Sequence, residues 1–197
     1  MERSEGICDA YDVVVVGGGI AGAALAARVA GGGRSVLVLE AQTGYRDKIR
    51  GETIAPWGVR EVRLLGIEEV LLGAGGQYAD ALVPYDETLS PEDSEAAAMP
   101  YALLVPDVPG PLNVGHPEAS EALNNHASAC GAEVRRGAAG VKVTAGARPT
   151  VAWEDPEGSH QVTCRLVVGA DGRGSTVRRQ LGIGRAADDD DSADIYT

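Results

Sequence analysis

The chain has 197 residues, 44% of them hydrophobic, and a formal net charge of -12 at pH 7. That length allows one well-buried domain with part of another, and the composition is typical of globular proteins. The negative charge argues against nucleic acid or an anionic membrane surface as a partner, and no apolar run approaches the roughly 20 residues that span a bilayer.

The chain begins with a predicted strand, a glycine-rich turn and a helix. An apolar strand over 11–16 leads into a G-x-G-x-x-G motif at 17–22, which opens a helix over about 20–30. The first glycine of such a motif permits a tight turn, the second lets a pyrophosphate approach the backbone, and the third lets the helix pack closely on the strand. Phosphates then lie at the helix N-terminus, where unpaired N–H groups favour an anion. The pattern predicts a dinucleotide site that includes Gly17, Gly19, Ile20, Ala21 and Gly22.

A second predicted strand over 35–39 ends at Glu40, after three glycines at 31–33 that we expect to end the helix through positive-φ conformations. Two parallel strands joined by a helix begin a doubly wound sheet. Glu40 lies close to the roughly 20-residue offset expected for the acid that binds an adenosine ribose. Because a carboxylate repels a 2′-phosphate, the site predicts FAD or NAD and not NADP. A solvated strand end is the alternative interpretation of Glu40.

The segment 46–75 is predicted to contain a charged loop and then helices. The loop at 46–52 lies at the carboxyl edge of the sheet, where ligands bind in such folds. Pro56 can begin a helix that ends at Gly66, and a short helical turn follows over 67–72. The apolar face of the first helix is predicted to consist of Val59, Val62, Leu65 and, as a further candidate, Leu64.

From 76 to 115 the sequence is punctuated by prolines and holds short apolar runs such as 102–105. We interpret this segment as strands that begin a second lobe. A helix is expected from Pro117, because small and apolar residues then recur at spacings of three and four. His126 on this stripe is expected to be a structural histidine, and Gly131 fits the end of the helix.

The predicted C-terminal part of the domain consists of strands and one short helix. The expected strands are 133–136, parallel to the first two, an antiparallel meander at 141–144, 150–153 and 161–164, and a buried strand at 166–168. Turn residues separate the meander segments, among them those at 155–158. The last strand leads into 169–173, and Ser175 is expected to cap a helix that runs through Leu181.

Three widely spaced cysteines, Cys8, Cys130 and Cys164, match neither a disulfide framework nor a zinc-ligand pattern. We therefore expect reduced thiols and no metal site. The mixed charges at 1–5 carry no signal-type apolar core, so the expected location is cytoplasmic. The aspartate run at 188–191 is expected to be a solvated tail or linker.

Together, the motif at 17–22, Glu40, Arg50-Gly51-Glu52 and the segment 169–178 resemble the FAD-binding part of the flavoprotein monooxygenases of the para-hydroxybenzoate hydroxylase type. The resemblance covers nearly the whole chain. With the predicted elements, it implies a Rossmann-like, three-layer α/β fold with a parallel sheet, an antiparallel meander crossover and the beginning of an inserted substrate lobe. It also implies FAD as the cofactor, NAD(P)H as the reductant and oxidation of a small aromatic or polycyclic substrate with O2.

The resemblance assigns roles to single residues. Asp171, with its neighbour Gly172, is implied to hold the pyrophosphate region of FAD, and a helix N-cap or turn aspartate is the alternative. Arg50 resembles the family's arginine that approaches the cofactor, and a solvated loop arginine is the alternative. His116 stands where the family usually has an arginine that contacts the cofactor. We identify no candidate for a catalytic acid or base.

The predicted organisation is a discontinuous FAD-binding domain at 1–75 and 116–185, an inserted part of a substrate lobe at 76–115, and an acidic tail or linker at 186–197. The family's third motif, a Gly-Asp near the flavin ribityl chain, is not found in the sequence. We therefore expect either a piece of a longer enzyme or a shortened homologue that another chain completes. Two alternatives to a monooxygenase are an FAD-dependent reductase similar to the geranylgeranyl reductases and a non-catalytic dinucleotide-binding remnant.

Overall fold

The structure, a computed structural model, describes residues 10–47, 52–105 and 107–184. Its strands are β1 (Ala10–Val16), β2 (Val36–Glu40), β3 (Thr53–Ile54), β4 (Gln77–Tyr78), β5 (Ala81–Leu82), β6 (Met99–Pro100), β7 (Leu112–Asn113), β8 (Glu133–Arg136), β9 (Ala139–Thr144), β10 (Thr150–Asp155) and β11 (Gly158–Gly169). Its helices are α1 (Ile20–Gly31), α2 (Pro56–Leu65), α3 (Glu68–Gly73), α4 (Pro91–Ala96), α5 (Tyr101–Leu104), α6 (His116–Ala129) and α7 (Thr176–Gln180).

Four adjacent parallel strands form one side of a six-stranded sheet. The strand order is β8-β2-β1-β11-β10-β9, in which the first four strands run parallel and each of the last two pairs antiparallel with the strand before it. The predicted third parallel strand is confirmed, and β8 pairs with β2 at the edge of the sheet. Every residue of β2 is buried, which is typical of a parallel strand that is covered on both faces.

Alternate side chains of β2 enter two different cores. Val36 and Val38 pack with small residues of α1 and α6 on one face of the sheet. Leu37 and Leu39 pack on the other face with Trp153 and further residues of the meander formed by β9, β10 and β11. Helices therefore cover one face of the parallel strands, and the meander, which continues the same sheet, covers the other. This arrangement has three layers, and the predicted Rossmann-like α/β fold is confirmed.

One expectation about the meander is wrong. The segments 161–164 and 166–168 are predicted as separate strands, but β11 is continuous. It pairs with β10 over its first half and with β1 over 163–169. Arg165 interrupts the apolar pattern but not the strand, because the backbone on both sides of it pairs with β1; its exposed guanidinium lies 3.1 Å from the Asp12 carboxylate of that strand.

Two expectations about apolar segments outside this sheet are also wrong. The run 102–105 contributes to helix α5 and not to a strand, since a run this short has no periodicity that separates the two. Leu64 and Leu65 of α2 are 71% and 37% exposed, whereas Val59 and Val62 are buried. The buried face of α2 is thus narrower than predicted.

Glycines end several helices. Gly66 and Gly131 follow α2 and α6 in left-handed conformations, as predicted. After α1, left-handed φ is confined to Gly33, because Gly31 belongs to the helix and Gly32 has a φ of -83°. None of the helices in the described ranges combines the length and apolar character required to cross a membrane.

The described residues fall into two compact units. One comprises residues up to Arg46 together with those from Leu123 onward and contains the six-stranded sheet; the other comprises Asp47–Ala122. The second unit has a three-stranded antiparallel sheet, β3-β7-β4, and a separate pair, β5-β6. The predicted domain limits at 75 and 116 stay a prediction, as does the tail at 186–197, which lies outside the described residues.

Candidate cofactor site

Three glycines of the motif differ in what surrounds them. At Gly17, where φ is +104°, an added Cβ would lie 2.4 Å from the carbonyl oxygen of Ala170. At Gly22 it would lie 1.9 Å from the carbonyl oxygen of Gly17. Gly19 has ordinary extended geometry, with φ -66° and ψ -177°, and among the described residues no atom beyond its two chain neighbours lies within 4 Å of its Cβ position. Folding therefore requires the first and third glycines, whereas the space at Gly19 fits a group from outside the chain.

The start of helix α1 complements this space. Ile20 and Ala21 open the helix directly after Gly19, and its first turn carries no acidic residue. No side chain of the described residues caps this end of the helix. Its leading backbone N–H groups thus suit an anion such as the pyrophosphate of FAD, which the positive end of the helix dipole also favours.

Glu40 lies at the carboxyl end of β2 beside the glycine loop. Its Oε2 accepts a hydrogen bond from the Gly18 N–H at 2.7 Å, and its Oε1 accepts one from the Gln42 N–H at 2.8 Å. The residue is 6% exposed, so the alternative of a solvated strand end is wrong. Each carboxylate oxygen keeps a second lone pair that can accept from a ribose hydroxyl.

Three residues of this loop region were not predicted as part of the site: Gly18, Tyr45 and Asn124. The Gly18 carbonyl oxygen accepts hydrogen bonds from the Tyr45 hydroxyl and from Asn124 Nδ2, both at 2.6 Å. A Cβ on Gly18 would lie 2.9 Å from Asn124 Oδ1 and 3.1 Å from the Tyr45 hydroxyl, so a side chain at this position would displace both groups. Asn124 and Asn125 are adjacent in the sequence, and no pattern indicates which of them faces the loop.

Asp171 follows β11 and lies next to the glycine loop, since a Cβ at Gly17 would be 2.9 Å from its Cα. Its Oδ2 accepts hydrogen bonds from the Thr176 N–H at 2.6 Å and the Val177 N–H at 3.2 Å, and its Oδ1 accepts from the Ser175 hydroxyl. Ser175 caps α7 as predicted. The Asp171 carboxylate thus binds the start of α7, which is the alternative considered for it, and a direct contact with the cofactor stays a prediction, as it does for Gly172.

The hydrogen bonds of Asp171 affect its ionisation. Burial opposes the charged form, but the bonds from Ser175, Thr176 and Val177 outweigh it and hold the pKa of the Asp171 carboxyl below its ordinary value of 3.8. The charged carboxylate therefore stabilises the fold above that pH, and its contribution is lost as the pH falls through the lowered pKa.

We expect Asp171→Asn to lower the melting temperature clearly at neutral pH, and by progressively less as the pH falls below 3.8 and through the lowered pKa of the wild-type carboxyl, which then gains a proton. Loss of such a capping bond costs about 1 kcal/mol. Melting curves of both proteins over a series of decreasing pH values measure this difference. A loss that stays equal over the whole series would contradict the charged capping role.

Two further predicted contacts are not placed in this site by the structure. Arg50 lies outside the described residues. His116 is the first residue of α6, and its N–H donates to Glu52 Oε1 at 3.2 Å, within the second unit. Contact of either residue with the cofactor stays a prediction.

Two histidines lie in side-chain clusters of the first unit. His126 Nε2 is 3.7 Å from the Cys130 sulfur on the same helix. At the turn between β10 and β11, His160 Nε2 lies 2.7 Å from Asp155 Oδ1. An imidazole nitrogen of His160 and one carboxylate oxygen each of Asp155 and Glu157 lie within 4.8 Å of one another. Glu157 also pairs with the Arg135 guanidinium, at 3.4 Å, so the described contacts are those of an ion-pair cluster.

Comparison with known proteins places these features in a family context. Residues 10–195 match the family described as FAD binding domain. A 12-dehydrotetracycline 5-monooxygenase/anhydrotetracycline 6-monooxygenase of Streptomyces rimosus subsp. rimosus is 35% identical over 179 residues, which cover 88% of this chain and 33% of the relative. A solved anhydrotetracycline hydroxylase from Streptomyces rimosus superposes with a TM-score of 0.70 at 30% identity, over 88% of this chain and 34% of that chain.

A relative with a different printed activity is also similar. A menaquinone reductase of Mycolicibacterium smegmatis is 31% identical over 179 residues, which cover 87% of this chain and 40% of the relative. The chain therefore spans between a third and two fifths of the length of these curated relatives.

Proposed function

We propose that this chain, which belongs to the FAD binding domain family, holds the adenosine and pyrophosphate of FAD as part of a flavin-dependent monooxygenase. The observation that carries the proposal is the open space at Gly19, between two glycines whose Cβ positions are filled by protein atoms. A pyrophosphate fits this space, because the uncapped start of α1 lies directly after it. The buried carboxylate of Glu40 lies one hydrogen bond from the same loop.

The proposed reaction is oxygenation of a small aromatic or polycyclic molecule, with NAD(P)H as the reductant. FAD supplies the redox and oxygen chemistry when it is bound, and the residues of this chain bind and orient its adenosine half. Similarity to the 12-dehydrotetracycline 5-monooxygenase/anhydrotetracycline 6-monooxygenase and to the solved anhydrotetracycline hydroxylase supports this substrate class. The predicted completion by a further stretch of polypeptide is part of the proposal.

An FAD-dependent reductase is the second candidate, and the menaquinone reductase similarity favours it. The two differ in the fate of oxygen. A monooxygenase consumes one O2 for each NAD(P)H and forms an oxygenated product, whereas a reductase transfers the electrons to an organic acceptor without O2 uptake. An oxygen electrode that follows O2 uptake in the presence of NAD(P)H, with a polycyclic phenol or with a quinone as the substrate, therefore distinguishes the monooxygenase from the reductase.

For the 197-residue chain, we expect ADP and FAD to bind with similar affinity, because Gly19, the start of α1 and Glu40 all suit the adenosine and pyrophosphate half that these two ligands share. We also expect 2′,5′-ADP, which differs from AMP only by its 2′-phosphate, to bind far more weakly than AMP. That 2′-phosphate would approach the Glu40 carboxylate and be repelled. Calorimetric titrations with the four ligands measure both comparisons.

Chain that is folded by circular dichroism but binds neither FAD nor ADP would overturn the proposed function. Equal binding of AMP and 2′,5′-ADP would instead contradict the position assigned to Glu40.

A further inference from the structure

We propose that Tyr45 and Asn124 are positioning residues that hold the Gly18–Gly19 peptide in the orientation that the cofactor pyrophosphate requires. This role rests on the proposed function. The two side chains come from different elements: Tyr45 lies in the segment after β2, and Asn124 lies on α6.

The two residues form a closed triangle with the Gly18 carbonyl. The Tyr45 hydroxyl donates to that oxygen at 2.6 Å, and Asn124 Nδ2 donates to it at 2.6 Å. Asn124 Nδ2 also donates to the Tyr45 hydroxyl oxygen, at 2.8 Å. One carbonyl oxygen thus accepts two hydrogen bonds from side chains that are themselves bonded to each other.

The planarity of the peptide connects this triangle to the ligand. The Gly18 C=O and the Gly19 N–H belong to one trans peptide and point in opposite directions. Holding the carbonyl on Tyr45 and Asn124 therefore directs the Gly19 N–H away from them, at the residue whose surroundings are open. Glu40 fixes the preceding peptide through the Gly18 N–H, so two successive peptides of the loop are held by side-chain hydrogen bonds.

We call Tyr45 and Asn124, which hold the Gly18 carbonyl, the clamp; both residues lie in the first unit. Asn124 is 1% exposed, and the Arg136 guanidinium lies over the Tyr45 ring, 5.2 Å from its centroid. Arg136 is the register partner of Glu40 in the parallel pair of β8 and β2. Without the Tyr45 hydroxyl, the peptide loses a donor that opposes its rotation, while the ring can keep its contact with Arg136.

The test measures the affinities of the full chain for ADP and for adenosine. We expect Tyr45→Phe to weaken ADP binding about fivefold, the size expected for one neutral hydrogen bond, and to leave adenosine binding unchanged. Asn124→Ala should act in the same direction. The ratio of the two dissociation constants is the decisive readout, because a loss of general stability does not change it selectively.

Tyr11→Phe is the matched control. It also removes one tyrosine hydroxyl of the same unit, but that hydroxyl donates to Glu133 and not to the loop. We expect it to change neither affinity. Unchanged ADP binding in both clamp variants, or equal losses for ADP and adenosine, would overturn the positioning role while wild-type binding upholds the proposed function. Absence of ADP binding by the wild-type chain would overturn both.

Discussion

Gly19→Val is expected to abolish FAD and ADP binding while the fold and its melting temperature stay close to those of the wild type. The described part of the chain leaves room for the side chain, because none of its atoms beyond the two neighbouring residues lies within 4 Å of the Cβ position and φ is an ordinary -66°. Valine would therefore fold without strain and project into the space that the pyrophosphate needs. Copurified yellow flavin, titration with ADP and circular dichroism measure the three quantities.

Two other glycines serve as controls for this prediction. Gly146 has no atom within 4 Å of its Cβ position either, and it lies in the turn between β9 and β10, so Gly146→Val should bind FAD normally. Gly22→Ala should instead destabilise the fold, because its Cβ would lie 1.9 Å from the carbonyl oxygen of Gly17. A Gly19→Val protein that still binds FAD would show that the open space is not the phosphate site.

Glu40→Ala is expected to weaken binding of FAD, ADP and adenosine by at least about tenfold, since hydrogen bonds to a charged group are worth about 1.5 to 3 kcal/mol. The loss should include adenosine, because the ribose is common to all three ligands. This separates Glu40 from Tyr45, for which adenosine binding should not change. Calorimetric titration of each ligand provides the measurement.

Part of the Glu40 effect is structural. Removal of the carboxylate leaves the buried N–H of Gly18 without its acceptor, which costs about 1 to 3 kcal/mol of stability, and also frees the partly buried N–H of Gln42. Glu40→Gln separates the two effects. Its amide satisfies one N–H and lacks the charge, so relative affinity for 2′,5′-ADP over ADP should rise.

Glu133→Gln is the control for loss of a carboxylate. Glu133 lies at the start of β8 and pairs with Arg135 and Tyr11. This variant should keep the wild-type affinities. Wild-type affinity in Glu40→Ala would show that the carboxylate does not contact the ribose.

Local patterns predicted those parts of the fold in which neighbouring residues face the same environment. The strands β1 and β2 are largely apolar runs, and small and apolar residues recur along one stripe of helix α6, so the spacing of these residues indicates which of them are buried. The pattern failed at β11, where Arg165 breaks the apolar run but the strand continues because residues 163–169 pair with β1. That pairing joins residues as distant in the sequence as Tyr11 and Cys164, beyond the reach of any local window.

In the candidate site, too, the residues at regular sequence offsets were predicted, and those that meet only in the folded chain were not. The motif and Glu40 were predicted because phosphate and ribose binding place glycines and a carboxylate at regular offsets. Tyr45 and Asn124 were not, because they meet Gly18 across 27 and 106 residues of the chain and belong to no fixed spacing. For Asp171 the sequence left a cofactor contact and a helix-capping role open. Only the folded structure shows that its two oxygens accept hydrogen bonds from residues at the start of α7.

The sequence by itself determined the α/β class, the order of the first strands and the position of a dinucleotide loop, because local periodicity and glycine spacing record which residues are buried and which must lack a side chain. The tertiary structure decided what each glycine is for. Gly17 and Gly22 lack a Cβ because protein atoms fill the space, whereas Gly19 faces an open space that suits a ligand. The tertiary structure also decided what holds the loop, because hydrogen-bond partners from β2, α6 and the segment between them meet only when the sheet has formed.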